Sequence, residues 1–318
     1  MKVLFLASGN NNKGLVDNLI NAQGLSLIKM GVDLEFFAVN GRGISGYWSS
    51  AMQLRKYLKK NEIDIIHSHF GWCSLVALIA RRKEKIVASF MGDDLLGSYK
   101  NGFYTFKSKQ TVKINKIFAK YFYDFNIVKS KNLQNVLSNL KNVSVIPNGV
   151  NYEIFFPMDK INARNQLGLG IEKKIVLFAA NPERPEKNFP LCKEVIEKMG
   201  RKDIELLVVY GVSQQTLNLY YNSADVIFLT SVHEGSPNVI KEALVSNRPI
   251  VATNVGDVKD HLINIDGCYV TNYDVNEIIF SIEKALTKGS INARGKLDYL
   301  KSENVAIKII NIYKLLLI

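Results

Sequence analysis

Short apolar runs and longer amphipathic stretches alternate along this sequence, and that alternation sharply limits the folds open to it. The spacing predicts strands over residues 2–7, 33–39, 64–68, 85–90, 125–129 and 143–146. A second series follows over 174–180, 204–210, 225–230, 249–253 and 267–270. Helical periodicity falls between them, for example over 14–30, 49–60, 71–82, 108–123, 187–199 and 274–288. Strands that alternate with helices form parallel sheets covered on both faces. Eleven strands are more than one such sheet holds comfortably, and 318 residues are enough for two domains. The break is expected after "VIPNGVNYEIFFP" (145–157), where Pro147-Asn148-Gly149 makes a strong turn and Pro157 opens a polar, glycine-containing linker over 158–172. The fold class expected is therefore α/β, two Rossmann-like parallel-sheet domains facing a cleft, the first over 1–157 and the second over 158–300. Ligands of such sheets bind beyond the carboxyl ends of the strands.

Several classes drop out early. Cys73, Cys192 and Cys268 are scattered without CxxC spacing, each in or beside an apolar run, as ordinary buried thiols in a reducing compartment would be. His67, His69, His233 and His261 make no zinc pattern, so no metal site is expected. The opening "MKVLFLASGN" runs into Asn11-Asn12 instead of a small-residue cleavage site, and reads as a buried first strand, not a signal peptide. No segment approaches the length of a membrane span.

The stretch "SVHEGSPNVIKEAL" (231–244) follows the predicted strand 225–230. Ser236-Pro237 has the form of an N-cap followed by proline at the first helical position. No Glu or Gln stands three residues later to close a capping box, so first-turn amides stay free, and such amides attract anions. Val239, Ile240, Ala243 and Leu244 form an apolar stripe, while Asn238 and Glu242 share another face. Glu234 on the loop and Glu242 on the helix are thus expected to face one cleft. "NPERPEKNF" (181–189) lies at the end of another strand and puts Arg184 and Lys187 at a helix start, suited to clamp a diphosphate. "NGRGISG" contains Gly41, Gly43 and Gly46, a formal GxGxxG, but it follows the second strand and lacks the acidic ribose partner; a glycine loop beside the cleft is the expectation.

Taken together, "EGSPNVIKE", the Arg184/Lys187 pair, "SADVIFLTSVHEG", "NRPIVATNVGDV", "DIIHSHF", "ASFMGDDL" and "VIPNGVNYEIFFP" resemble the retaining glycosyltransferases of family 4, which have the GT-B fold and an E-x7-E signature. The resemblance runs over nearly the whole chain. It implies that Glu234 holds hydroxyls of the transferred sugar with the backbone of Gly235, Ser236 and Pro237, that Asn238 and Val239 sit against the diphosphate, and that Glu242 binds the ribose. Glu234, Arg184 and Lys187 would be the catalytic residues, the two cations stabilising the departing nucleoside diphosphate without a metal or other cofactor. The first domain would bind the acceptor, the second the nucleotide sugar, and residues 301–318 would be a terminal helix crossing back toward the first domain. Met91-Gly92-Asp93-Asp94 departs from the His-Gly-x-Asp of many members; a thioether cannot donate the hydrogen bond. Met91, Gly92, Asp93, Asp94, His69 and Asn10 are accordingly the candidates on the sugar or acceptor side, with His69 and the two aspartates equally readable as structural. An epimerase of the same fold, or a non-catalytic sugar-nucleotide-binding subunit, would be the rival readings.

The charge is lopsided. Residues 1–157 hold 21 Lys and Arg against 10 Asp and Glu, whereas 158–318 hold 20 against 19. The densest part is 99–131, with lysines at 100, 107, 109, 113, 116, 120, 129 and 131 among aromatic residues. They form either the solvent face of an ordinary helix whose aromatics point inward or a contact to an anionic membrane surface. No nucleic-acid motif accompanies them, and nucleic acid is not an expected partner. A cytoplasmic enzyme, peripheral on the inner face of the cytoplasmic membrane, acting on a glycan or polyprenyl-diphosphate-linked acceptor in envelope polysaccharide synthesis, is the resulting expectation.

Overall fold

The computed structural model describes residues 1–10, 14–100 and 103–318; the Asn11-Asn12 pair and part of the stretch around Lys100 lie outside it. The chain forms two compact units: residues 1–98, 104–149 and 302–318 make the first, residues 99–103 and 150–301 the second.

The first unit holds β1 (Lys2–Ser8), β2 (Asp33–Val39), β3 (Ile65–His69) and β4 (Lys85–Phe90); a short pair follows, β5 (Tyr99–Lys100) and β6 (Phe103–Tyr104), of which residues 99–103 belong to the second unit, and β7 (Phe125–Val128) and β8 (Val143–Val145) are again in the first. The long strands make a parallel sheet in the order β2-β1-β3-β4-β7-β8. Its helices are α1 (Asn18–Lys29), α2 (Gly43–Lys60), α3 (Gly71–Ala80), α4 (Asp93–Leu96), α5 (Phe106–Tyr121) and α6 (Lys131–Val136). Both faces of the sheet are apolar and buried, as parallel strands require.

In the second unit α7 (Lys160–Leu167) precedes β9 (Lys174–Phe178), α8 (Phe189–Met199), β10 (Ile204–Val208), α9 (Gln214–Ser223) and β11 (Val226–Leu229). Then come α10 (Asn238–Val245), β12 (Ile250–Thr253), α11 (Val258–Leu262), β13 (Cys268–Thr271) and α12 (Val275–Lys288). The sheet is parallel, ordered β10-β9-β11-β12-β13. All eleven strands expected from the periodicity are present, each within two residues of its expected ends.

Residues 158–172 are not the open linker expected. Asp159 caps α7 by accepting from Asn162 N at 2.8 Å, Gly168 closes the helix in the left-handed region, and Arg164 reaches the buried Asp225 carboxylate at 2.7 Å. Residues just before it are equally fixed: Phe155 is buried and Met158 N donates to Asn222 Oδ1 at 2.7 Å. The chain therefore passes between units at Gly149–Val150. It passes back at Lys301–Ser302, and α13 (Ser302–Leu316) packs with α1 in the first unit. Within that unit Tyr313 Oη lies 2.5 Å from His67 Nδ1, and Ser89 Oγ 2.7 Å from His67 Nε2, a buried polar thread through the apolar layer.

Candidate functional site

In the second unit the first strand, β9, has β10 on one side and β11 on the other, so the sheet reverses its winding beside β9. The crevice beyond such a switch point is where α/β sheets take ligands. The segments after β9 and β11 meet there. After β9, Asn181 Oδ1 accepts from Glu183 N at 2.9 Å, a 3-10 turn spans Pro185–Lys187, and Asn188 adopts the left-handed conformation before α8 begins. After β11, Thr230 Oγ1 donates to Lys187 O at 2.8 Å and Val232 N to Glu186 O at 2.9 Å. Those bonds fix the two loops as one piece.

Their side chains converge as well. Lys187 Nζ forms a short ion pair with Glu234 Oε1, which also accepts from Ser231 Oγ at 2.9 Å. Both members of the pair keep 14% of their side-chain surface exposed, so they are shielded but reachable. Arg184 is more open, 58% exposed, and its guanidinium lies on Glu186. Lys187 and Glu234 are thus brought together, while Arg184 stands on the same turn with its charge held by a neighbour.

Helix α10 departs from the expected start. Ser236 is not its N-cap: Pro237 occupies that position, no side chain caps the helix, and Asn238 is its first residue. The Ser236 hydroxyl instead accepts from Lys241 Nζ at 3.0 Å. Lys241 is the residue the sequence reading missed. Its side chain is fully buried, burial lowers its ammonium to about 8, and Asp257 and Glu242 partly offset that fall. The signal lay in "NVIKEAL", where position 241 shares a helical face with Pro237 and Val245, both buried. Below the loop, Gly256 has φ of 58° and a Cβ there would stand 2.7 Å from Gly235 O, so only glycine lets the backbones approach.

Glu242 lies on the half-buried face of α10 and accepts from Tyr221 Oη at 2.8 Å. Burial raises its carboxyl above the ordinary range; the Tyr221 hydroxyl and the Lys241 charge pull the other way. Gly235 and Pro237 are buried, whereas Ser236, Asn238 and Val239 are half-buried along the same edge.

The first unit's candidates lie at the carboxyl end of its own sheet. Asn10 follows β1 and spends its amide on one partner: Nδ2 donates to Gly41 O at 2.9 Å and Oδ1 accepts from Gly41 N at 2.8 Å. It anchors the glycine loop, in which a Cβ on Gly41 would fall 2.8 Å from Gly46 Cα. His69 ends β3 inside the core, its ring stacked on His67 at 4.5 Å and edge-on to Phe5 at 4.7 Å. Burial holds both imidazoles well below their usual range, hence neutral. Met91 and Gly92 follow β4, and Asp94 fixes their turn by accepting from Met91 N at 3.1 Å, Gly92 N at 3.0 Å and Gly71 N at 3.3 Å. Burial still raises the Asp94 carboxyl to about 6, against those backbone bonds. Asp93 is exposed. Among the described residues no group of three His, Cys, Asp or Glu side chains could hold a metal ion, and no helix is long and apolar enough to cross a membrane.

Residues 27–154 match the family described as Glycosyltransferase Family 4, and residues 194–288 match Glycosyl transferases group 1. The chain is 24% identical to an uncharacterized glycosyltransferase of Methanocaldococcus jannaschii, over 95% of this chain and 93% of that one. It is 25% identical to the UDP-Gal:alpha-D-GlcNAc-diphosphoundecaprenol alpha-1,3-galactosyltransferase of Escherichia coli, over 78% and 74%. Among solved structures it is similar to sucrose-phosphate synthase from Thermosynechococcus elongatus (TM-score 0.83, 16% identity, 100% and 99% covered). It is likewise similar to Anabaena HepE in complex with UDP and glucose (TM-score 0.75, 16% identity, 99% of each chain covered). These likenesses give the two Rossmann-like units the GT-B fold.

Proposed function

From the premise that this chain is a glycosyltransferase of the GT-B fold, we propose that it moves a sugar, with retention, from a nucleoside diphosphate sugar to a hydroxyl of a glycan or lipid-linked glycan in bacterial envelope polysaccharide synthesis. The observation that carries the reading is the Lys187–Glu234 pair astride the β9/β11 switch point, beside an uncapped helix start. The names of similar proteins support the substrate classes: the E. coli relative acts on a diphosphoundecaprenol-linked sugar, and the Anabaena structure holds UDP and glucose.

The barrier in such a transfer is charge separation, the anomeric carbon turning cationic as the diphosphate leaves. In the unliganded pair Glu234 neutralises Lys187. An entering diphosphate takes over the ammonium, with Arg184 swinging off Glu186 to join it, and the amides of Asn238 and Val239 closing on the same oxygens. Glu234 is then released to accept from sugar hydroxyls, with Gly235, Ser236 and Pro237 lining the sugar. Glu242, already oriented by Tyr221, binds the ribose. The bond from the anomeric carbon to the phosphate oxygen breaks, the acceptor oxygen bonds to that carbon on the same face, and its proton passes to the leaving phosphate. No side chain is assigned as base, and the two cations take the part a divalent metal would otherwise play.

The test is a panel of nucleotide sugars with and without glycan acceptors, in excess EDTA, with nucleoside diphosphate release followed by mass spectrometry. Release with one donor, undiminished by EDTA, is expected. Loss restored by Mg²⁺ or Mn²⁺ overturns the metal-independent reading, an isomerised donor without acceptor identifies an epimerase, and donor binding without turnover identifies a non-catalytic subunit.

A further inference from the structure

Helix α5 leaves more large apolar surface in water than an ordinary surface helix. On its inward face Asn115 and Ala119 are buried, Phe118 packs against the core, and Asn115 Nδ2 donates to Asp94 O at 2.7 Å. Most of its other large apolar side chains point outward. Phe106 is 77% exposed, Ile117 53% and Tyr121 65%, Ile114 is exposed beside them, and Phe103, leading into the helix, is 78% exposed. Between these stand Lys107, Lys109, Lys113, Lys116 and Lys120, all exposed. No Asp or Glu occurs from residue 103 to 121. Lys129, which the sequence alone groups with this stretch, is buried at the end of β7 and does not belong to the face.

Two costs coincide on this surface. Large apolar groups stand in water, and five like charges repel one another without a counter-charge on the helix. A layer that offers anionic headgroups above an apolar interior relieves both at once. Single-stranded nucleic acid would use the lysines and the rings, but isoleucines give no stacking platform, and the stretch has no arginine to pair with phosphate bidentately.

We propose that α5 forms the face by which this protein docks on an anionic lipid bilayer. The lysines sit at the headgroups, and Phe106, Ile117 and Tyr121 enter the boundary layer beneath. The proposal is independent of which sugar is transferred.

Two variant sets separate the charge from the insertion: Lys109, Lys113, Lys116 and Lys120 to Gln, and Phe106, Ile117 and Tyr121 to Ser. Every substituted side chain is exposed, and circular dichroism melts check that both sets stay folded. The reading is co-sedimentation with phosphatidylcholine vesicles, with and without phosphatidylglycerol. Wild type should bind only the anionic vesicles, and each set should weaken that partitioning by ~10-fold or more. Raising salt should release wild type incompletely and the serine set fully, because only the wild type keeps its inserted side chains. Equal binding to neutral vesicles, binding to neither, undiminished binding by the serine set, or tighter binding to a single-stranded oligonucleotide at the same salt would overturn it.

Discussion

Both units place their first strand inside the sheet and reverse winding beside it, at β1/β3 in one and β9/β11 in the other, yet what stands at the two places differs. In the second unit the position carries an ion pair, Lys187 with Glu234, partly open to solvent. In the first it carries Asn10, whose amide is committed to Gly41, and His69, a neutral imidazole sealed in the core. Topology creates the crevice in each case; among the described residues, the second lines it with an ion pair that a ligand can displace. The chemistry is therefore expected from the second unit, with the first serving as a platform.

The largest expected effect comes from removing the cation of that pair. Lys187→Ala should lower turnover by ~10²-fold or more, the scale of losing a preorganised stabiliser of developing charge. Glu234→Ala should chiefly lower turnover too. Because the two side chains are in contact, the double variant should fall less than the product of the two singles. Steady-state kinetics with the donor that the nucleotide-sugar panel identifies measures this. Full additivity would mean that the pair is only a surface contact and that the contrast between units has been misplaced.

Next in size is Glu242→Ala. It removes a half-buried acceptor that Tyr221 holds at 2.8 Å, and should raise the donor KM by ~10-fold, the worth of a hydrogen bond to a charged group, with turnover little changed. A fall in turnover at constant KM would move Glu242 from the ribose to the reacting centre.

Lys241→Met sharpens the comparison differently, since this fully buried charge holds the loop before α10 through Ser236. Its pKa, about 8 in the folded protein, lies below the ordinary lysine value of 10.5. Between those values the unfolded chain binds more protons, so this group's contribution to stability rises as pH climbs through that window. Methionine should abolish that rise, leave stability at pH 7 equal or higher, and raise donor KM by ~3-fold through a looser Ser236. Thermal melts from pH 7 to 10 and donor titration read the two effects separately.

These residues also show how far sequence carries. Periodicity located every strand of the two parallel sheets because apolar runs of four to seven residues there have no competing pattern, and it missed the two-residue strands β5 and β6, which are too short to show a period. The positions of Glu234, Arg184 and Lys187 on turns at strand ends were legible because such loops announce themselves by Gly, Pro and Asn, and that of Glu242 because the apolar stripe of α10 leaves it on another face. Lys241 was not, since a lysine in a helix reads as solvated unless its face is followed around the turn. Helix α7 was hidden by its polarity: its support comes from Arg164 and Lys160 on the buried Asp225, a contact distant in sequence. The outward aromatics of α5 were undecidable from spacing alone, because an amphipathic pattern does not say which of its faces meets the core.

His69 provides the smallest effect and the sharpest break. Its ring nitrogens have no hydrogen-bond partner among the described residues, and its ring is packed against His67 and Phe5. An unpaired buried imidazole costs the fold a few kcal/mol of desolvation at most, on the order of 1–3. An apolar side chain of similar size returns part of that. His69→Leu should therefore leave the melting temperature unchanged or slightly raised, and change turnover and donor KM by less than ~3-fold, within what a small packing shift produces. The measurement pairs a thermal melt with donor kinetics on the same sample. A turnover loss of ~10²-fold with an unaltered melt would show that a ligand reaches this imidazole during the reaction. In that event the first unit contributes chemistry as well as a platform, and the division of labour between the two switch points fails.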